Sequence, residues 1–478
     1  MSTYSIGRLD GSTIALSEED VSNFSKSLHG ELLTPNSTQY DEVRAVWNGM
    51  IDRRPGLIVR CNGAADVIRA VNFARNHELH VSVRGCGHNI AGSAVCDGGL
   101  MIDLKPMHAV RINAVKCTAR VEPGCTLADF DHEAQAFGLA TPTGINSTTG
   151  IAGLTLGGGF GWLSRKYGLT IDNLLSADVV TADGQLMQAS QDVNPNLFWA
   201  IRGGGGNFGI VTSFEFQLYP VGPEILSGLI IHPFEDAKQV LQFYREFTSG
   251  LPNETAVWVI LRLAPPLPFI PAEWHGKAVV VLAAFHGGDL DEGERILEPL
   301  RSFGNPIADV IGPHPYAGWQ QAFDPLLTAG ARNYWKSHNL DALSDGLFDV
   351  IINYINEIPS PHTEIFLGLM GGQMNRVGEE ETAYPHRSSD FLMNVHGRWE
   401  TPAEDEAGIS WARNLFRDTA NFATGGVYVN FLTEEETDRV RAAYGPNYER
   451  LVEVKTKYDP ANLFRTNQNI VPSTLTSS

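Results

Sequence analysis

Residues 148–173 read TTGIAGLTLGGGFGWLSRKYGLTIDN, and a second glycine cluster, RGGGGNFG, follows at residues 202–209. Because glycine has no Cβ, backbone N–H groups in such segments approach a ligand closely, and successive N–H groups form a concave anion site. Residues 157–159 are expected to precede a helix, whose N-terminal N–H groups would add to a diphosphate site. One cluster alone would indicate tight turns. Two clusters, together with VRGCGHN at residues 83–89, indicate a cradle for a cofactor.

A nicotinamide dinucleotide site is the obvious alternative, and the spacing of the glycines disfavours it. The GxGxxG motif should follow a strand, open a helix and precede an acidic residue by about 20 positions. Residues 157–163, GGGFGWL, have G-x-G-x-G spacing instead, and the second cluster is followed by the strand-like IVTSFEFQL at 210–218. An NAD-dependent reductase is therefore the least favoured function.

Composition indicates a large folded protein that acts on a small molecule. The chain has 478 residues, of which 43% are hydrophobic and 19% charged, which is enough for a sizeable core and suggests two or three domains. The net charge is −20. Such a chain repels nucleic acid and anionic membranes, so we expect neither as a partner.

The cysteines and the N-terminus indicate a reducing, cytoplasmic location. The five cysteines lie between residues 61 and 125 without CxxC spacing, which argues against a disulfide framework and against a metal site. The N-terminus lacks the basic start and apolar core of a signal peptide. The longest apolar run, at 278–285, is far shorter than the ~20 residues of a membrane span.

Hydrophobic periodicity predicts two regions of different texture. The sequence up to Pro220 predicts a helix-rich lead-in at 18–50, a β-α-β unit at 55–85 and a hairpin with an Asp-Gly turn at 177–185. Further strands are predicted at 99–104 and 119–124, and a helix at 126–138. The later region predicts an α+β domain with helices on one side of its sheet. Its predicted strands are 226–233, 256–263, 277–285, 363–370 and 391–397, its predicted helices are 235–248, 289–303, 343–351 and 403–420, and a helical tail follows at 434–451.

Four segments in order resemble a known flavoprotein family. They are VRGCGHN (83–89), the stretch at 148–173, LFWAIRGGGGNFGIVTSFEFQL (197–218) and KYDPANLFRTNQNI (457–470). Together they are similar to the berberine-bridge-enzyme-like branch of the vanillyl-alcohol-oxidase family, in particular its 6-hydroxynicotine-oxidase type. The likeness is dense over 55–220 and 425–472 and thin over 221–350. It implies an α+β fold with a two-subdomain FAD-binding domain (1–220, completed by 434–478) and an inserted antiparallel-sheet substrate domain covered by helices (221–433).

The resemblance also implies a reaction. An FAD oxidase removes a hydride from an amine, alcohol or sugar-like substrate to flavin N5, and O2 reoxidises the flavin to give H2O2. Two alternatives stay open: a flavin dehydrogenase that uses another electron acceptor, and a flavin-binding protein without turnover. The protein is expected to be a monomer or a homodimer.

The histidine motif of this family corresponds here to His88, which the resemblance implies is joined covalently to the flavin 8-methyl group. Some relatives add a cysteine tether just upstream of the glycine cluster, but residues 141–153 hold no cysteine and Cys125 lies too far back. One covalent bond is therefore predicted. Cys86 fits a small buried filler better than a reactive thiol. The other positions assigned to the FAD site are Arg84, Gly85, Cys86, Gly87, Asn89, Thr148, Gly150, Gly153, Gly157, Gly158, Gly161, Ile210, Val211, Asn467 and Asn469.

Substrate chemistry is expected near residues 428–431, where relatives often carry a tyrosine base at the last position and this chain has Phe431. Tyr428 could substitute, although on an alternating strand it would face the other side from Phe431. Asn430 more plausibly touches flavin or substrate. The missing tyrosine tilts the prediction toward an amine or an activated substrate. Gln373 is a third candidate, Tyr354, Glu364 and Asn394 are further pocket candidates, and Trp162 and Tyr167 are expected to pack.

Overall fold

The structure is a computed structural model that describes residues 3–476. Its first half contains short strands and helices arranged around two sheets. In chain order the elements are β1 Thr3–Gly7, β2 Thr13–Ser17, α1 Glu18–Ser27, β3 Glu31–Leu33, α2 Tyr40–Arg44, β4 Leu57–Arg60, α3 Ala64–Asn76, β5 Val81–Arg84, β6 Leu100–Asp103, β7 Val110–Asn113, β8 Thr118–Val121, α4 Leu127–Gln135, β9 Leu139–Ala140, α5 Ile151–Leu156, α6 Ser164–Tyr167, β10 Leu174–Val180, β11 Leu186–Ser190, α7 Pro195–Ile201, β12 Ile210–Gln217 and β13 Tyr219–Pro220.

The first sheet has the strand order β3-β4-β6-β5, in which β4 and β5 each pair in parallel with β6. The predicted β-α-β unit is therefore present as β4-α3-β5, but β6 lies between its two strands. Strand β6 is buried along its whole length, as expected for a central strand covered on both faces. Its Leu100 and Ile102 share an apolar core with helix α3.

The second sheet, β11-β10-β12-β8-β7, is antiparallel, and β9 pairs with β13 beside it. Strands β10 and β11 form the predicted hairpin, and Gly184 in its turn has a φ of +80°. In β12 the buried Phe214 and Phe216 alternate with half-buried residues, so that one face of the strand packs into the core.

The second half is built on one large antiparallel sheet, with the order β17-β14-β16-β15-β20-β21-β19 and with β18 paired to β14. Helices α8, α9, α11 and α12 pack against it. This confirms the predicted fold class. The elements are β14 Glu224–Pro233, α8 Ala237–Thr248, β15 Thr255–Leu263, β16 Ala278–His286, α9 Leu290–Arg301, β17 Ala308–Asp309, β18 Gly312–Pro315, α10 Tyr316–Gln320, β19 Arg332–Leu340, α11 Asp345–Ile355, β20 Glu364–Leu369, β21 Phe391–Trp399, α12 Asp405–Thr419, α13 Val440–Tyr444, α14 Tyr448–Tyr458 and α15 Ser473–Thr476.

The register of this sheet places an arginine, a glutamate, a histidine and a tryptophan in one row across four strands. Arg262 on β15, Glu364 on β20, His396 on β21 and Trp335 on β19 lie opposite one another on neighbouring strands. Because alternate residues of a strand point to opposite faces, the four share a face. Gly397, the next residue on β21, lies against helix α12 on the other face.

The C-terminal segment returns to the first half of the chain through a buried lysine. The Lys455 ammonium donates to the Asn207 carbonyl at 2.9 Å, to the Phe464 carbonyl at 2.9 Å and to Asp459 Oδ2 at 2.7 Å. Burial lowers the pKa of Lys455, and the Asp459 carboxylate partly offsets that effect. The lysine thus joins the second glycine cluster to the tail.

Candidate functional site

A cavity of about 360 Å³ lies between the glycine-rich segments and the face of the large sheet that the helices leave free. We call its two sides the glycine wall and the sheet wall. The glycine wall consists of lining residues from 85–90, 144–154 and 205–211, and the sheet wall consists of Trp335, Glu364, Phe366, Asn394 and His396. The tail residues 466–468 and the segment 428–431 close the cavity between the walls.

His88 lines the glycine wall, with its ring stacked on Trp47 at a centroid distance of 4.4 Å. Its Nε2 lies 3.5 Å from Thr149 Oγ1. Burial lowers the pKa of His88 to about 4, so the imidazole is neutral at neutral pH and a ring nitrogen retains its lone pair. Trp47, whose backbone N–H donates to the Gly87 carbonyl, was missed by the sequence analysis because no motif marks it.

Most of the glycines predicted beside His88 lie where a ligand would meet backbone. Gly85, Gly87, Gly150 and Gly153 all line the cavity, as do Cys86 and Asn89. A Cβ built on Gly153 would meet no described atom within 4 Å beyond its chain neighbours and its own helix backbone, so glycine at this position keeps the wall open. The Cys86 thiol donates to the Gly124 carbonyl at 3.2 Å, and burial raises its pKa, which fits a filler.

The triple glycine at 157–159 serves close packing in this structure, and its role as a diphosphate cradle ahead of a helix stays a prediction. These residues follow helix α5, and neither Gly157 nor Gly158 lines the cavity. A Cβ on Gly157 would lie 2.2 Å from Asn430 Oδ1, and one on Gly158 would lie 3.3 Å from the Tyr428 ring. The glycines therefore admit the 428–431 segment.

Three other predicted contacts also do not line the cavity. Gly161 packs against the Thr143 carbonyl, only 2.1 Å from the position of a built Cβ. Thr148 donates its hydroxyl to Asn146 Oδ1 at 2.7 Å, and the neighbouring Thr149 lines the cavity instead. Arg84 turns toward the Val43 carbonyl and Asp103, because alternate residues of β5 point to opposite sides.

The second glycine cluster and the tail meet on the far part of the cavity. Of the residues assigned to the FAD site, Ile210, Val211 and Asn467 line it, whereas Asn469 does not. Apart from its chain neighbours, no atom of the described residues lies within 4 Å of a Cβ built on Gly206, so this glycine also keeps the wall open. Further lining residues that the sequence analysis missed are Asn207, Tyr444, Phe464, Thr466 and Gln468.

Residues 429–431 form a single 3-10 turn, so the prediction that Tyr428 and Phe431 face opposite sides is wrong. Residues three apart eclipse in a 3-10 helix, and the two rings contact each other with centroids 5.0 Å apart. The Tyr428 oxygen accepts from the Gly159 N–H at 2.9 Å and from Asn430 Nδ2 at 3.0 Å. Burial raises the pKa of Tyr428 to about 12, which keeps the phenol protonated.

Of the predicted substrate residues on the large sheet, Glu364 and Asn394 line the cavity, but Gln373 and Tyr354 do not. Gln373 lies in a 3-10 helix that packs on α6, after Gly371 and Gly372 with positive φ have turned the chain out of the sheet. Tyr354 is on α11, where its hydroxyl donates to Asp418 on the helix side of the sheet. Trp162 and Tyr167 pack in the protein, as predicted.

The sheet wall contains a histidine–carboxylate–arginine chain that the sequence analysis missed. His396 Nδ1 lies 3.0 Å from Glu364 Oε1, and Arg262 Nη1 donates to Glu364 Oε2 at 2.8 Å. Burial alone would raise the pKa of Glu364, but the neighbouring Arg262, His396 and Arg398 lower it to about 2. A signal existed in the sequence, because His396 is two residues after the predicted Asn394 and therefore on the same strand face.

A smaller side pocket of about 70 Å³ adjoins the main cavity. The two share Ile145, Leu327, Glu364 and Phe366 in their walls. Apart from the paired Arg262 and Glu364, its lining consists of aliphatic, proline and aromatic side chains.

Comparison with known proteins identifies the family to which the chain belongs. Residues 55–190 match the model of an FAD binding domain, and residues 427–471 match the berberine and berberine-like model. (R)-6-hydroxynicotine oxidase of Paenarthrobacter nicotinovorans is 33% identical over 93% of this chain and 97% of its own length. The chain belongs to the berberine-bridge-enzyme-like family. It is an FAD-linked oxidoreductase, as predicted.

Solved structures of this berberine-bridge-enzyme-like family share the whole fold. The crystal structure of 6-hydroxy-D-nicotine oxidase from Arthrobacter nicotinovorans superposes with a TM-score of 0.84 at 31% identity, covering 93% of this chain and 98% of that one. A chitooligosaccharide oxidase superposes with a TM-score of 0.82 at 25% identity, covering 95% and 99%. Within residues 3–476 no helix is both long and apolar enough to cross a membrane.

The residues of the cavity fit FAD. Gly153 and Gly206 leave space where side chains would otherwise project. Among the described residues, the buried Asn467 Oδ1, Asn394 Oδ1 and Trp335 Nε1 have no hydrogen-bond partner. Buried polar atoms normally have partners, so these three indicate groups that bind a polar ligand.

Proposed function

We propose that this protein is an oxidase of a small organic molecule and that His88 carries its FAD through a single covalent bond. Bound FAD would accept a hydride at N5 from the substrate carbon and pass the electrons to O2, giving H2O2. The observation that carries the proposal is the neutral, stacked imidazole of His88 in the wall of a cavity that residues of both glycine clusters line.

Each part of the site has a defined task in this proposal. Trp47 fixes the plane of the His88 ring, and the lowered pKa of His88 leaves a ring nitrogen free to bond to the flavin 8-methyl carbon. The sheet wall faces the substrate, and its aromatic side chains keep water out. Of the five cysteines, only Cys86 lines the cavity, and its thiol donates a hydrogen bond to the Gly124 carbonyl. This supports one covalent bond to the flavin rather than two.

Acid precipitation of the purified protein tests the covalent bond. Yellow colour should stay in the pellet of the wild type and pass to the supernatant in His88→Ala. His80→Ala is the matched control, because this histidine lies outside the cavity lining and bonds to Thr466, so its flavin should stay in the pellet. Colour in the wild-type supernatant would refute covalent attachment.

A dehydrogenase that uses another electron acceptor is the second candidate, since the same fold serves both reactions. The test is to reduce the holoenzyme anaerobically with dithionite and mix it with air-saturated buffer. Rapid return of the flavin absorbance with formation of H2O2 supports the oxidase. A flavin that stays bleached in air supports the dehydrogenase. A panel of amines, alcohols and sugars, each tested for anaerobic bleaching, then gives the substrate class.

A further inference from the structure

His396 lies on the sheet wall. One of its ring nitrogens is hydrogen-bonded, and the other has no hydrogen-bond partner among the described residues. The side chain is 5% exposed, and its Nδ1 faces the Glu364 carboxylate. Its Nε2 is buried and has no hydrogen-bond partner within residues 3–476. Because the ring lines the cavity, this nitrogen is available to a ligand in the cavity.

The surroundings of His396 fix its tautomer. A carboxylate only accepts, so the proton of the neutral ring is on Nδ1 and the lone pair is on Nε2. Burial lowers the pKa of His396 below its usual value, the Glu364 hydrogen bond and charge raise it, and Arg398 and Arg262 lower it further. His88 is the other titratable group that faces it. The ring is therefore a neutral base at neutral pH.

The side pocket supplies a second, independent constraint on the substrate. Among the described residues, the side chains of its wall are apolar except for Arg262 and Glu364, which bind each other, and the indole N–H groups of Trp162 and Trp258, of which that of Trp258 donates to the Leu369 carbonyl. An apolar pocket holds water poorly and favours an apolar group. It adjoins the main cavity at Glu364 and Phe366, so a group in the pocket lies beside the row of His396.

We propose that the substrate is an alcohol with a compact apolar group, that this group occupies the side pocket, and that His396 Nε2 is the base that takes the hydroxyl proton. The proposal rests on the oxidase function stated above. As the O–H bond breaks, an N–H bond forms at Nε2, and the hydride of the adjacent carbon leaves with its electron pair to the bound flavin, which leaves a carbonyl compound. Glu364 is a positioning residue that holds Nδ1–H and stabilises the imidazolium. The absence of a tyrosine at Phe431 then no longer favours an amine, because the sheet wall supplies the base.

The role of His396 as the base is tested by anaerobic bleaching of the flavin in variants of the holoenzyme. The compounds offered as substrates are benzyl alcohol, cyclohexylmethanol, benzylamine and cellobiose. The two alcohols should bleach the flavin anaerobically, and His396→Asn should slow this step about 10²–10⁴-fold. The concentration of alcohol that gives half the maximal rate should change little. His232→Asn is the control: His232 is buried with both ring nitrogens unpartnered among the described residues, lies outside both cavities, and should leave the rate unchanged.

The pH profile separates the roles of His396 and Glu364. The wild-type rate should fall as the pH drops through the pKa of His396, because protonation removes the base. Glu364→Gln removes a charge that raises this pKa, so the acid limb should move to lower pH, with a lower plateau. His396→Asn should lose the limb. An unchanged limb in both variants, or bleaching by benzylamine or cellobiose but by neither alcohol, would overturn the proposal.

A readout without turnover distinguishes failure of this proposal from failure of the oxidase function. In holoprotein labelled with ¹⁵N-histidine, the spectrum should contain the signal of a neutral ring protonated at Nδ1 whose pKa is lowered from the usual histidine value. This signal should vanish in His396→Asn. In Glu364→Gln its titration should move to lower pH. A His396 ring protonated at Nε2 would refute the base whether or not any compound bleaches the flavin.

The side pocket is tested by filling it. Val281 lines the pocket, and Val281→Phe should weaken binding of benzene, followed by the flavin difference spectrum, about 10- to 100-fold, as expected for loss of a buried ring. Val115→Phe adds the same ring at a site that is 96% exposed and should have no effect. If Val281→Phe does not fold, Ile260→Ala enlarges the pocket and should favour 1-naphthylmethanol over benzyl alcohol. Unchanged preferences in the folded variants would refute the assignment.

Discussion

The glycine wall and the sheet wall enclose the same cavity, but one presents mainly backbone atoms and the other presents side chains. The glycine wall presents mainly backbone, and its positions are set by glycines and by buried polar ties such as Lys455. The sheet wall presents side chains, which alternate along regular strands. Because of this difference, the glycine wall is suited to a ligand that stays the same across relatives. The side chains of the sheet wall can be exchanged without any change of backbone. Three predictions test this contrast.

The largest expected effect is at the tie that holds the glycine wall to the tail. Lys455→Met leaves the buried Asp459 without its charge partner, which should cost about 3–5 kcal/mol in the free energy of unfolding. The flavin content should fall as well, because Lys455 also bonds to the Asn207 carbonyl. Urea unfolding and the ratio of flavin to protein absorbance measure both. Lys457→Met is the control, because this lysine lies in the same helix and forms no buried ion pair within residues 3–476.

Substitutions within the first glycine cluster should have opposite signs at two positions. Gly159 has a φ of +78°, and a Cβ there would lie 2.1 Å from Thr170 Oγ1, so Gly159→Ala should destabilise the protein by about 2–5 kcal/mol. Gly153 lies in helix α5 with open space around it, so Gly153→Ala should stabilise the apoprotein by about 0.5–1 kcal/mol yet reduce its flavin content. Equal effects at both positions would contradict the division between packing and lining glycines.

The smallest effect compares two tryptophans on opposite faces of the large sheet. Trp399 Nε1 donates to Asp405 Oδ1 at 2.7 Å, so Trp399→Phe should cost about 1–3 kcal/mol in stability. Trp335 Nε1, on the sheet wall, has no partner among the described residues. Trp335→Phe should therefore cost less in thermal unfolding of the apoprotein. A larger loss at Trp335 would show that the sheet wall is built for stability rather than for ligand contact.

The sequence predicted the glycine wall better than the sheet wall, and the reason is physical. Motifs record backbone requirements, and the predicted Gly85, Gly150, Gly153 and Ile210 all lie in the cavity wall. The same motif letters did not distinguish glycines that line the cavity from Gly157, which only admits Asn430. That distinction depends on which distant segment packs against each glycine.

The sheet wall depends on long-range register, which periodicity does not encode. Strand β19, RNYWKSHNL, was missed because it is rich in polar residues and has no apolar run, and Trp335 was missed with it. The pairing of His396 with Glu364 follows from the alignment of β20 with β21. The 3-10 turn at 429–431 was taken for a strand because three residues are too few for a period to show.

The tail that closes the cavity has a consequence for biosynthesis. Phe464, Thr466 and Gln468 form part of the lining, although more than two hundred residues separate them from Asn207, to whose amide the Gln468 carbonyl is bonded. A nascent chain emerges from the ribosome N-terminus first. Both glycine clusters are therefore synthesised long before their last neighbours, and the cavity can close around FAD only after residues 464–468 have been made.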